Sequence, residues 1–193
     1  MKNSFQLIAA LTGICLVSGV LLAFVHGATA ARIEETARRR TEAAVEAVLP
    51  QHDRIQDPVE IVHAGQVFLF RSAWSGSEWA GVAVETTTSA GYGGAIRLML
   101  GIAADGTTSG LSILAHKETP GLGAKITDAS FRALFVGRPV ATTRWRVRKD
   151  GGEIDELTAA TVSSRAVSDA VAAAIQAFDR NQAEIRAPKE QEP

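Results

Sequence analysis

Between Lys2 and Arg32 the chain carries no charged residue, and from Phe5 to about Val25 it is apolar almost throughout. A helix of roughly 20 apolar residues matches the hydrocarbon thickness of a bilayer. A run of this kind is expected either to span a membrane or to be removed as a leader. Ala28-Thr29-Ala30 fits a leader cleavage site and Lys2 supplies the charged start. The apolar stretch, however, exceeds the core of about 7–15 residues usual for a signal peptide. An uncleaved anchor over residues 1–30 is therefore the expectation, with membrane lipid as its surroundings. Gly13, Ser18 and Gly19 lie within it beside Cys15 and would let a neighbouring helix approach closely. A purely lipid-facing span is the alternative.

Orientation is less direct. Lys2 precedes the span, whereas Arg32, Arg38, Arg39 and Arg40 follow it. Counting Lys and Arg alone would place the C-terminal side in the cytoplasm, although large domains translocate regardless of nearby charge. Ala37, Val45, Val48 and Leu49 recur at helical spacing among Arg and Glu, and Pro50 ends the pattern. Residues 31–50 are expected to form a stalk helix, with the arginine run as its solvated or headgroup face.

At 193 residues the chain has room for one ordinary domain behind such an anchor. A hydrophobic fraction of 46% and a charged fraction of 21% exclude a disordered polyelectrolyte. With 20 basic against 21 acidic residues there is no footprint for nucleic acid. Cys15 is the single cysteine, which excludes an internal disulfide, a multi-cysteine zinc site and a Cys-ligated iron–sulfur cluster within the chain. His26, His52, His63 and His116 are scattered without ligand spacing, so no metal site is expected.

After Pro58 the period changes to that of strands. Val59, Ile61, Val67, Leu69, Ala80, Val82 and Val84 fall in short alternating or β-branched runs, punctuated by Gly65 and Ser75-Gly76-Ser77. Ala95–Ile102 and Leu111–Ala115 read as strands joined by an Asp105-Gly106 hairpin turn. Trp145–Arg148 alternates again before Asp150-Gly151-Gly152. Helices are expected over Ser130–Val136 and from about Ser164 to Phe178. The fold class is α+β with a mainly antiparallel sheet over residues 51–180, followed by a flexible tail at 181–193.

Two segments carry chemistry. The first, His116-Lys117-Glu118-Thr119-Pro120-Gly121-Leu122-Gly123-Ala124-Lys125, follows a strand directly. Pro120-Gly121 suits the centre of a type II turn, and two glycines around one leucine let backbone approach a flat ligand. From local physics alone an ordinary strand-to-helix loop is the slightly favoured reading. The second runs from Asp150 to Val167 and clusters Thr and Ser ahead of a helical run. Ser163 or Ser164 is expected to cap that helix, and a helix N-terminus also suits a phosphate. Lys125 is expected to be an exposed lysine. No phosphate-binding GxxxxGK[ST] loop or GxSxG nucleophile elbow is present, and the dinucleotide glycine fingerprint is incomplete.

Taken together, His116–Lys125, Thr158-Ala159-Ala160-Thr161 and Gly91-Tyr92-Gly93-Gly94-Ala95-Ile96 resemble the G-subunit family of Rnf ion-translocating electron transport complexes. The likeness to the C subunit of sodium-pumping NADH:quinone oxidoreductases is more distant. Both belong to the FMN-binding domain family, and the resemblance runs from the membrane span to about Phe178.

The resemblance implies FMN joined through its phosphate, as an ester, to the hydroxyl of the last threonine of a Ser/Thr-Gly-Ala-Thr motif. That residue is Thr161 here, with Thr158 and Ala160 matching and Ala159 standing where the family usually has glycine. It further implies that Glu118, Thr119, Gly121, Leu122 and Gly123 wall the flavin pocket, with Gly91–Gly94 as a second approach or a plain turn. The implied function is an electron carrier in the bacterial inner membrane, a redox subunit of a translocase and not a stand-alone enzyme. Its implied partners are the other membrane and iron–sulfur subunits and a flavin transferase. The resemblance places the soluble domain in the periplasm, against the charge count. The alternatives are a part like the C subunit of the sodium pump, or a non-redox membrane-anchored scaffold, since a fold alone does not grant function.

Overall fold

The computed structural model describes residues 2–187, with backbone only for Lys2–Phe5 and Ala9. Helix α1 covers Lys2–Val48. The chain divides into two units within it, Met1–Glu42 and Ala43–Pro193.

Among the described residues of the first unit the large apolar side chains are exposed, Leu7, Leu11, Leu21, Leu22 and Phe24 among them. The helix is long and apolar enough to cross a membrane. The arginine run beyond it is paired along the helix: Glu35 lies 2.7 Å from Arg39 and 3.3 Å from Arg38, which also reaches Glu42 at 3.7 Å. These are i,i+3 and i,i+4 contacts of exposed side chains, each worth a few tenths of a kcal/mol.

The second unit is built on a six-stranded antiparallel sheet. Its strands are β1 (Arg54–Ile55), β2 (Val59–His63), β3 (Gln66–Ser75), β4 (Glu78–Thr88), β5 (Ile96–Ala103) and β6 (Thr108–Ala115). The strands β3 to β6 follow one another as hairpins, and β1 and β2 share the outer edge of β3. Alternation along each strand feeds two cores. On one face Phe68, Phe70, Val82, Val84, Leu98 and Leu100 pack against the helix α3 (Thr161–Arg180). On the other face Ala73, Ala83, Met99 and Leu114 pack against Ala44, Val45, Val48 and Leu49 at the end of α1. Burial of the central strands on both faces explains the unbroken apolar runs Trp79–Val84 in β4 and Leu98–Ile102 in β5.

Close approach at that second core depends on two paired glycines. Gly101 of β5 and Gly110 of β6 stand opposite each other in the register. A Cβ on Gly101 would overlap the carbonyl oxygen of Val48, and one on Gly110 would lie 2.8 Å from its Cα. The same Val48 carbonyl accepts the hydroxyl of Ser109 at 2.5 Å, which satisfies a helix-end acceptor. Ala44, Val45, Val48 and Leu49, expected in a stalk, thus pack into a core of the domain.

Other expectations shift. Trp145–Arg148 is not a strand of the sheet: Val147 makes only an isolated parallel bridge to Ile154, and Arg148–Asp150 turns as 3₁₀ helix. The alternation there arises because Trp145 and Val147 point into the core while Arg146 and Arg148 face out. Helix α2 spans Ala129–Ala133, shorter than Ser130–Val136 by its C-terminal turn. Within the expected tail, α4 (Gln182–Ile185) buries Ile185, whose carbonyl accepts the Ser72 hydroxyl at 2.5 Å. The rest of that tail, from residue 188, lies outside the described residues.

Candidate functional site

Two turns of the same kind face one another across a cleft. The first follows β6. The Leu122 N–H donates to the Thr119 carbonyl at 3.2 Å, with Gly121 at φ +77°. This is the expected turn with its left-handed third residue. The second leads into α3. The Ala160 N–H donates to the Leu157 carbonyl at 3.0 Å, with Ala159 at φ +62°. Left-handed backbone costs an L-residue roughly 1–2 kcal/mol, because Cβ crowds the carbonyl. The site is therefore one where glycine fits best and this chain carries alanine.

Helix α3 begins at Thr161, three residues before the start expected from the sequence. Ala160 is its N-cap residue, and no side chain caps the first turn. Neither Ser163 nor Ser164 acts as a cap, because both lie inside the helix and their hydroxyls serve other groups. Ser164 Oγ donates to the Ala160 carbonyl and accepts from the Leu157 N–H, both at 3.0 Å, closing the second turn. Ser163 Oγ donates to Glu118 Oε2 at 2.5 Å.

Glu118 is only 5% exposed and joins three segments. Its Oε1 accepts the Gly93 N–H at 3.0 Å, and its own N–H donates to His116 Nδ1 at 3.2 Å. Glycines make this fit. A Cβ on Gly91 would lie 2.6 Å from Glu118 Oε1, and one on Gly123 would lie 2.6 Å from Ser163 Oγ. The glycine loop 91–94, the 116–123 loop and the start of α3 are thereby held together.

The cleft between them has a volume of about 570 Å³, within the ordinary range of small-molecule sites. Tyr92, Glu118, Thr119, Leu122, Gly123, Ala159, Ala160 and Thr161 line it, with Val162 and Ser163. Of the residues singled out by sequence, Glu118, Thr119, Leu122, Gly123, Ala160 and Thr161 meet there. Gly121 and Thr158 do not line it; each is the exposed neighbour of a lining residue within a turn. The rim is apolar and open to solvent: Tyr92 is 75% exposed, Leu122 46% and Val162 43%. Lys125 is exposed, as expected.

One residue beside the site escapes sequence reasoning. Lys149 Nζ lies 3.3 Å from Thr161 Oγ1 and 3.4 Å from Glu156 Oε1. Tyr92, within the glycine loop expected as a second approach or a plain turn, enters the cleft wall. The residues flanking Lys149 are both paired: Arg148 contacts Asp155 at 2.6 Å, and Asp150 takes a two-bond contact from Arg165 at 2.5 and 3.0 Å. The Arg165 hydrogen bond holds the Asp150 carboxyl below the usual carboxylate range. Nearby on α3, burial pushes the Asp169 carboxyl up.

The family model of the FMN-binding domain matches residues 91–176, from the glycine loop into α3. Both turns and Thr161 fall inside that stretch. Over nearly the whole chain the sequence is similar to the ion-translocating oxidoreductase complex G subunit of Cereibacter sphaeroides, 36% identical over 184 residues covering 90% of this chain and 83% of the relative. The G subunit of Pseudomonas aeruginosa is 35% identical, covering 94% and 92%, and that of Vibrio cholerae 32%, covering 89% and 88%. The chain belongs to the G-subunit family of ion-translocating oxidoreductase complexes.

Proposed function

We propose that this chain is a membrane-anchored electron-carrying subunit of an ion-translocating oxidoreductase complex, with FMN esterified through its phosphate to Thr161. The observation that carries the reading is the place of Thr161. Thr161 lines the cleft as the first residue of α3, where no side chain caps the helix. Uncapped N–H groups and the positive helix end favour a phosphate there.

The residues present fit the group. Tyr92, Leu122 and Val162 offer exposed apolar surface for a flat ring, and Thr161 offers an oxygen for the phosphate. When bound, FMN supplies a ring that takes up and returns one or two electrons. The chain's own residues hold and orient it. Glu118 fixes the glycine loop against α3, the 119–122 turn sets Leu122 at the rim, and Thr161 tethers. A tethered cofactor cannot dissociate, which suits a carrier working where FMN is not resupplied.

In this reading the apolar first part of α1 is a single inner-membrane span, the soluble domain lies in the periplasm, and a flavin transferase completes the protein. The neighbouring subunits of the complex, including iron–sulfur subunits, exchange electrons with it. The arginines after the span oppose this orientation by charge count, and a long following domain translocates largely regardless of such charges.

The test is the mass of the Thr161 peptide from protein made with its transferase. An FMN adduct is expected, and flavin fluorescence should survive denaturation. An unmodified peptide from a colourless preparation would overturn covalent attachment. A reporter fused after Pro193 that works only outside the cytoplasm should be active; activity of its cytoplasmic counterpart instead would reverse the orientation.

A further inference from the structure

We infer that Lys149 is the residue that binds the flavin phosphate, and that Glu156 holds it in place and weakens its grip. The inference deepens the reading above by naming the cation of that site. Lys149 Nζ is within hydrogen-bonding distance of Thr161 Oγ1, the oxygen to which the phosphate would be bonded. An ammonium at this point meets any phosphate carried on or beside that oxygen, and charge-assisted contacts of this kind are about twice as strong as neutral ones.

The surroundings direct Lys149 to this task. It sits in the middle of the Arg148–Asp150 turn, whose other two side chains are occupied by Asp155 and Arg165. Those pairs fasten the turn to the segment before α3 and to α3 itself. The lysine's own partner, Glu156, is 16% exposed in its side chain, while the Lys149 side chain is 62% exposed, so the carboxylate is partly shielded and the ammonium stays open to an incoming anion. A phosphate arriving at Thr161 would bring a second anion to the same ammonium. Glu156 then competes with the phosphate while keeping the lysine stem aimed at the threonine.

The two residues make opposite predictions. Lys149→Gln should weaken the phosphate's hold, Lys149→Arg should restore it, and Glu156→Gln should strengthen it. The probe is the full chain in detergent, made without flavin transferase, titrated separately with free FMN and with riboflavin, which has the ring and no phosphate. Lys149→Gln is expected to weaken FMN binding about tenfold, the loss of one charge-assisted contact, and to leave riboflavin unchanged. Added salt should weaken FMN binding to the parent chain more than to this variant. Equal loss of both flavins, no loss of FMN, no binding of either flavin to the parent chain, or weaker FMN binding in Glu156→Gln would overturn the inference. Because the titration involves no covalent step, it stands apart from the Thr161 peptide mass. An unmodified peptide with a phosphate-selective Lys149 effect removes the ester and keeps the lysine's role; an FMN adduct without that effect does the reverse.

Discussion

The Ser163 hydroxyl donates to Glu118 Oε2 at 2.5 Å across a sequence separation of 45 residues. One carboxylate oxygen takes a helix side chain and the other takes the backbone of the glycine loop at Gly93. The cleft's three walls are therefore tied by a single buried side chain.

Glu118→Ala should cost about 2–3 kcal/mol, because a buried hydroxyl loses its acceptor and a cavity is left. The loss should be local. Amide exchange at residues 91–94 is expected to rise while exchange in β4 and β5 stays slow. Unchanged protection of the glycine loop would show that the loop is held by other contacts.

Ala159→Gly should stabilise the domain by about 0.5–1 kcal/mol. Relief of the left-handed alanine is worth roughly 1–2 kcal/mol, offset by the larger unfolded-state freedom of glycine. A urea midpoint series reads this directly, and a drop in midpoint would contradict the turn geometry at 157–160. Ala64, at φ +51° in the turn between β2 and β3, is the matching control. There Ala64→Asn should stabilise, since asparagine tolerates the left-handed region and Gly65 already follows.

Gly101→Ala should destabilise by at least about 2 kcal/mol, as overpacking against main chain has no rotamer to relieve it. The Cβ meets the Val48 carbonyl and lies 2.5 Å from Ser109 Oγ. Gly106→Ala in the adjoining turn meets no neighbour but is strained at φ +80°. Comparing the two separates steric overlap from backbone strain: only the first should raise exchange in residues 44–48.

Two carboxylates give opposite pH signatures. Asp150 is held below the usual range chiefly by the Arg165 hydrogen bond. Its contribution is present above the unfolded-state pKa and is lost as pH falls through the folded one. Asp150→Asn should therefore lower the unfolding midpoint at neutral pH and make little difference in strong acid. Asp169 is raised chiefly by burial, so its ionised form costs stability at neutral pH and the cost fades as it protonates. Asp169→Asn should raise the neutral midpoint and leave the acid one alone. Parallel shifts at both pH values would contradict these assignments.

The sheet was legible where local chemistry and tertiary role agree. Asp105-Gly106 turns the β5–β6 hairpin, with Gly106 at φ +80°, and alternation places Leu98 and Leu100 against α3. The site was legible only in pieces. Pro120-Gly121 announces its turn, because φ is set by those residues themselves. Ser163 and Ser164 looked like caps because serine caps helices, yet their partners are Glu118 and the 157–160 turn, which no local pattern reveals. Trp145–Arg148 alternates as a strand does, but no neighbouring strand is there to pair with it. Lys149 carries no signal at all in sequence. Its meaning comes from a 3₁₀ turn that brings it across to Thr161.

The Gly101–Gly110 saddle beneath Val48 sets where a water-soluble version of this domain can begin. A cut at Pro50, the natural choice from the helix pattern, would strip Ala73, Ala83 and Met99 of their cover and leave one sheet face bare. Expression of such a fragment should yield a sticky, self-associating product. Starting a few residues upstream of Ala44 keeps that face sealed, so the useful boundary falls inside the helix and not at its end.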